Sequence, residues 1–162
     1  MRSRFLPEGR LLHTPENEAA CASRDGLRRA MEEETVLEGV AQLCDGAHNL
    51  LVSVGPFTGF LPREEAALGI AEGTTREIAI LSRVGKPVCF QITALEESGG
   101  VLRPRLSRRR AQQAALDAML AGLHPGCILP AVVTHLESFG AFVDIGCGVP
   151  SLIGIENISV SR

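Results

Sequence analysis

Apolar positions between residues 126 and 158 fall into three short runs separated by turn residues, the pattern of a β-meander. Ile128, Val132, Val133 and Leu136 make the first run. Glu137-Ser138-Phe139-Gly140-Ala141-Phe142-Val143-Asp144-Ile145-Gly146 carries the second, and Leu152, Ile153 and Ile155 the third. Side chains of a strand alternate between its faces, so Val143 and Ile145 share one face while Phe142 and Asp144 share the other. A carboxylate is costly to bury without partners, so the face of Val143 and Ile145 is expected in the core and Phe142 and Asp144 on the wet side. An exposed aromatic on a strand invites a stacking partner.

An earlier stretch repeats this pattern in weaker form. Val36-Leu37-Glu38-Gly39-Val40-Ala41 leads to Leu50-Leu51-Val52-Ser53-Val54-Gly55 and then to Gly59-Phe60-Leu61-Pro62-Arg63, at nearly the same spacing, so the chain reads as an internal repeat. With the two glycines aligned, Val52 matches Val143 and Gly55 matches Gly146. His48 then takes the place of Phe139, Leu51 that of Phe142, and Arg63 that of Gly154. The first copy continues where the second stops. After a connection over 64–84 with room for a short helix, Val88, Phe90 and Ile92 alternate with Cys89, Gln91 and Thr93 in a strand over 88–95. Residues 96–100 have turn composition, and 101–107 returns as a fifth strand.

Helical segments flank and join the copies. Thr14-Pro15-Glu16 has a hydroxyl cap, a proline at the first helical position and acids in the first turn, which predicts one helix over 15–33. Residues 1–14 lack periodicity and are expected to form an extended or loosely attached arm. Residues 111–120, rich in Ala, Gln and Leu and ended by Gly122 and Pro125, predict a linker helix. The organisation is therefore an arm and helix over 1–34, a complete domain over 35–110, a linker helix over 111–125 and a partial second domain over 126–162. Half of such a domain exposes an apolar face and an unpaired edge, so a fragment or an incomplete product is expected.

Composition narrows the chemistry. The net charge is −3 over 162 residues, which argues against coating nucleic acid by bulk electrostatics and leaves only a local site. Tryptophan and tyrosine are absent, so stacking falls to Phe, His and Arg. The one concentration of positive charge is Arg103, Arg105, Arg108, Arg109 and Arg110; the last three read equally well as a solvated helix start or as a contact, whereas Arg103 lies on a strand beside the proposed face. Cys21, Cys44, Cys89, Cys127 and Cys147 show no C-x-x-C spacing and read as reduced thiols of a cytoplasmic protein. No apolar run reaches about eighteen residues, so a soluble, unexported protein with no membrane contact is expected. His13, His48, His124 and His135 are far apart and no nucleophile elbow, Walker loop or Rossmann glycine pattern occurs. No enzyme activity, cofactor, metal or small-molecule substrate is expected.

The residues from Gly126 to Ile158 resemble the first three strands of the RNA-binding domain of the ribosomal protein S1 family, whose most recognisable run is Phe139-Gly140-Ala141-Phe142-Val143-Asp144-Ile145-Gly146 here. Leu106-Ser107-Arg108 also resembles the ending of such a domain. The resemblance covers about residues 35–162 and leaves the arm unexplained. It implies a mainly β fold with flanking helices: a five-stranded S1-type OB-fold barrel, an N-terminal helix, a linker helix and a partial second OB-fold. It also puts Phe139 and Phe142 on a nucleic-acid face, with Gly154 where relatives commonly have His, and it carries Glu96 and Arg103 over to positions that approach RNA. The expected RNA-binding set is His48, Leu51, Phe60, Arg63, Glu96, Arg103 and Arg105 in the first copy and His135, Phe139 and Phe142 in the second. The implied partners are single-stranded RNA, in particular mRNA, and the small ribosomal subunit, with a role in translation. The alternative is a protein-interaction module of the ribosome or the transcription machinery with little RNA binding, favoured by the acidic charge, Leu51 and Gly154. An appendage of an RNA-processing enzyme such as polynucleotide phosphorylase fits less well, since the chain holds no nuclease segment.

Overall fold

A computed structural model describes residues 5–158; the ends of the predicted arm and of the predicted second domain lie outside the described residues. Five strands form the first unit: β1 (Leu37–Cys44), β2 (Leu50–Val54), β3 (Phe57–Leu61), β4 (Pro87–Ser98) and β5 (Val101–Ser107). They pair in the closed order β1-β2-β3-β5-β4, in which β3 and β5 run parallel and the other pairs antiparallel. Three further strands, β6 (Val132–Glu137), β7 (Gly140–Asp144) and β8 (Pro150–Gly154), form a separate antiparallel sheet in sequence order. The architecture is thus mainly β, with two sheets and four α-helices among the described residues.

Period-two burial marks β2 and the start of β5, whereas β1 buries Leu37, Glu38 and Gly39 in succession and β4 buries Val88, Cys89 and Phe90. Leu50, Val52 and Val54 are fully buried while Leu51 and Ser53 are half-exposed, and Val88, Phe90 and Ile92 join them in the core with Leu37, Leu61 and Leu106. The turn expected over 96–100 is shorter, because β4 holds its pairing with β5 out to Ser98↔Val101 and only Gly99 and Gly100 reverse the chain, both at positive φ.

The two meanders share their pairing in detail. Both first strands carry a β-bulge at the matching place, between Ala41 and Leu43 and between Val133 and His135. Leu51 pairs with Phe60, and Phe142 with Leu152. Both third strands end in a 3₁₀ turn, which starts at Arg63 in one and Ile155 in the other. This register corrects the sequence alignment by one residue. Arg63 corresponds to Ile155, and Gly154 to Pro62, because the turn before β8 is one residue longer than the turn before β3.

The single helix expected over 15–33 is two. α1 (Pro15–Cys21) is capped by Thr14 as expected, but α2 (Arg24–Glu32) starts afresh, with the Ser23 hydroxyl accepting from the Gly26 N–H at 3.1 Å. The linker helix α4 (Arg108–Gly122) begins three residues earlier than expected, under a Ser107 cap, and α3 (Ile78–Leu81) is the short helix of the long connection.

The arm is not loose. The Glu8 carboxylate is buried and meets Arg108 through two bonds, from Nε at 2.8 Å and from Nη2 at 2.6 Å, while the Cys89 N–H donates to it at 2.9 Å. The Glu8 N–H donates to Asp144 at 2.8 Å and the Leu6 carbonyl accepts from the Cys147 N–H at 2.9 Å, so the arm ties β4, α4 and the second sheet together. Gly148 packs against this pair at a φ of 74°; a Cβ there would lie 2.4 Å from both the Arg108 and Glu8 side chains. Cys89, Ala111, Ala115, Cys147 and Val149 fill the small core between the two sheets.

Candidate nucleic-acid interface

On β7, Val143 is buried and Phe142 half-exposed, as period two requires. Asp144 departs from its expected wet position and is buried. Its Oδ1 accepts from the N–H groups of Gly146 and Gly148 at 2.9 and 3.0 Å, and its Oδ2 from that of Glu8. Three donors replace the water the carboxylate gives up, so burial is no longer prohibitive. Phe142 sits in an aromatic cluster. The His135 ring stacks on it with centroids 6.3 Å apart and planes at 29°, and Phe139 meets it edge-on at 6.1 Å and 88°. Phe139 is 52% exposed, which leaves ring surface open to solvent. The His135 Nε2 faces the Glu137 carboxylate at 2.6 Å.

The corresponding face of the first sheet is built differently. Leu43, Leu51 and Phe60 take the places of His135, Phe142 and Leu152. Phe60 lies opposite Arg105 across the parallel β3–β5 pair, and the Arg105 guanidinium stands over its ring, 5.4 Å from the centroid. In such a cation–π pair the ring's negative face attracts the guanidinium. Glu96 is opposite Arg103 in the ladder, yet its carboxylate turns to Arg105 at 3.5 Å, and Arg103 stands exposed without an ion pair among the described residues. Phe60, Glu96, Arg103, Pro104 and Arg105 line one shallow cleft.

His48 and Arg63 are brought together beside this face by a residue that the sequence did not single out, Glu77. One carboxylate oxygen accepts from Arg63 Nε at 2.6 Å and the other meets His48 Nδ1. The Arg63 hydrogen bond, the largest influence, lowers the Glu77 pKa; desolvation opposes it, and the His48 hydrogen bond adds a lesser lowering. Asn49 accepts from the Arg63 N–H at 2.9 Å, and Asp45 holds the loop through the Ala47 and Asn49 N–H groups at 2.9 Å each. Glu77 lies 14 residues from Arg63 in a connection without periodicity, so only the folded chain reveals the meeting.

The expected arginine cluster is dispersed. Arg108 is buried on Glu8, Arg109 faces Glu72 at 3.6 Å and Arg105 faces Glu96 at 3.5 Å, leaving Arg103 and Arg110 exposed. All five cysteines are free. Among the described residues no group of three or more His, Cys, Asp or Glu could hold a metal ion, and no helix is long and apolar enough to cross a membrane.

No family model matches the chain. The small ribosomal subunit protein bS1 of Staphylococcus haemolyticus (strain JCSC1435) is 28% identical over 142 residues, which cover 85% of this chain and 33% of that protein. The chain spans about a third of the length of this curated relative. The likeness to ribosomal protein S1 therefore extends well beyond the block at 139–146. The solution structure of GSP13 from Bacillus subtilis aligns at 19% identity with a TM-score of 0.35, over 59% of this chain and 63% of that one.

Proposed function

We propose that the chain is a single-stranded-RNA-binding module of the S1 type, in which the closed five-stranded sheet is an OB-fold barrel and the β6–β8 sheet the first three strands of a second copy. It acts without catalysis and without a cofactor, on mRNA at the small ribosomal subunit in the cytoplasm. The observation that carries this reading is the open aromatic cluster of His135, Phe139 and Phe142, which offers ring faces to bases. The Phe60–Arg105 pair offers a second plane, and Arg63, Arg103 and Arg105 offer cations to phosphates. The shared bulge and pairing register of the two meanders support the repeat.

Fluorescence anisotropy with labelled single-stranded RNA and its DNA analogue tests the reading. Phe142→Ala should weaken RNA binding by about 1–3 kcal/mol, the range for one lost stacking platform. Thermal stability should change much less, because the ring is half-exposed. Unchanged affinity in this variant would move the weight to a protein-interaction module. That second reading is favoured by the carboxylates that neutralise the arginines of the first sheet, Glu77 on Arg63 and Glu96 on Arg105.

A further inference from the structure

We infer that His48 and Arg63 form a phosphate-binding subsite which the Glu77 carboxylate occupies in the free protein, so that Glu77 competes with the RNA backbone for it. This rests on the RNA-binding reading above and adds a residue that tunes it.

The geometry has three parts. Glu77 divides its oxygens, Oε1 to Arg63 and Oε2 to His48, the way two non-bridging oxygens of a phosphodiester would be shared between two donors. The two side chains are held from behind rather than by Glu77 alone. Asn49 fixes the backbone of Arg63, and the Asp45 loop fixes His48, a residue without glycine's freedom, at a φ of 64°. A histidine keeps that left-handed conformation only where its surroundings impose it, so the ring is held at this spot. Finally, the subsite is within reach of solvent and of the stacking face. The side chains of His48, Arg63 and Glu77 are 34%, 33% and 38% exposed, and Arg63 follows Phe60 by three residues, about 10 Å of extended chain.

Among the described residues the second sheet has no such subsite. Phe139 stands at the place of His48 and Ile155 at that of Arg63. The first sheet therefore carries the phosphate contact and the second the aromatic one.

Three proteins test the inference by anisotropy with a single-stranded RNA oligomer across a salt series: Glu77→Gln, Arg63→Gln and the double variant. Glu77→Gln keeps a hydrogen-bond acceptor but removes the charge, and should bind RNA about three- to tenfold more tightly at low salt, with a log–log salt slope steeper by about one unit. Arg63→Gln alone should weaken binding by a similar factor, since it removes a cation and leaves the Glu77 carboxylate facing the RNA, and it should cancel the gain in the double variant. Equal or weaker binding by Glu77→Gln, with thermal melting showing it folded, would overturn the inference.

Inorganic phosphate followed by the NMR signals of the His48 ring separates this from the functional reading and covers a Glu77→Gln protein of poor stability, because Glu77→Ala can replace it there. Phosphate should shift the ring signals in the Glu77 variants and much less in the wild type. A response to phosphate with no RNA binding by any variant would leave the subsite standing and the RNA reading fallen. No response in either Glu77 variant would overturn the subsite itself.

Discussion

Arg108→Ala is expected to destabilise the protein by about 3–5 kcal/mol, the range for removing one partner of a buried ion pair. Both side chains of the pair are nearly inaccessible, Arg108 at 7% and Glu8 at 4%, so the remaining carboxylate could not turn to water. Burial by itself would raise the Glu8 pKa, but the charge and hydrogen bonds of Arg108, with help from Arg83 and the Cys89 N–H, bring it below its ordinary value. Losing Arg108 reverses that balance. The guanidinium also donates to the Ala66 carbonyl at 3.1 Å, which would lose its donor as well.

Chemical denaturation should therefore show a much lower midpoint for Arg108→Ala, and Arg108→Lys should recover little, because a lysine cannot supply the two parallel bonds. Because Glu8 also binds Asp144, amide exchange in β6, β7 and β8 should accelerate more than in β1 to β5. A loss below about 1 kcal/mol would mean that the arm merely rests on the two sheets.

Stability should fall as the pH rises from 5 to 8, and Glu38→Gln should flatten that profile. Glu38 is 1% exposed; its Oε2 accepts from the Gly9 N–H at 3.0 Å, while its buried Oε1 makes no well-formed hydrogen bond among the described residues. Burial, reinforced by the nearby Glu8 charge, raises its pKa from 4.5 to about 7 against the opposing N–H groups of Gly9, Leu11 and Leu12. In the unfolded chain this carboxyl gives up its proton near pH 4.5, whereas the folded protein retains it to about 7. Between those values the unfolded state binds fewer protons, so rising pH favours unfolding until the folded state ionises too.

The shift corresponds to roughly 2–3 kcal/mol once some local relaxation is allowed. Thermal melting of the wild type should thus decline across this window and level off above about pH 8, and Glu38→Gln should lie above it at the upper end. The other carboxylates with resolved shifts, Glu8, Asp45 and Glu77, are lowered, so their contributions are lost only on acidification. A wild-type profile flat from pH 5 to 8, or a Glu38→Gln profile parallel to it, would contradict a neutral Glu38 in the folded protein.

The candidate site was legible to different depths in its two halves. Phe142 and Val143 could be assigned to opposite faces from alternation alone, because period two is a local property of a strand. The pairing of His48 with Arg63 could not be read, since its mediator Glu77 sits in an aperiodic connection. Ser23 is a different kind of miss. A hydroxyl residue followed by Arg24, Asp25 and Gly26 is a legible cap, but a continuous run of helix formers on either side hid the break.

What the amino-acid order determined by itself is what depends on near neighbours: the strands of both meanders, the Thr14 cap, the linker helix, and the S1-like block from Phe139 to Gly146. Their causes, side-chain period, backbone propensity and turn chemistry, act over a few residues and are written in the order of the residues. Only the tertiary structure decided the fate of the charges. Asp144 is buried because the Glu8 N–H, 136 positions away, comes to it, and Arg108 leaves the surface cluster because Glu8, 100 positions away, neutralises it. Whether a charge is exposed, buried or masked depends on partners that are distant in sequence, and the closing of the chain supplies them.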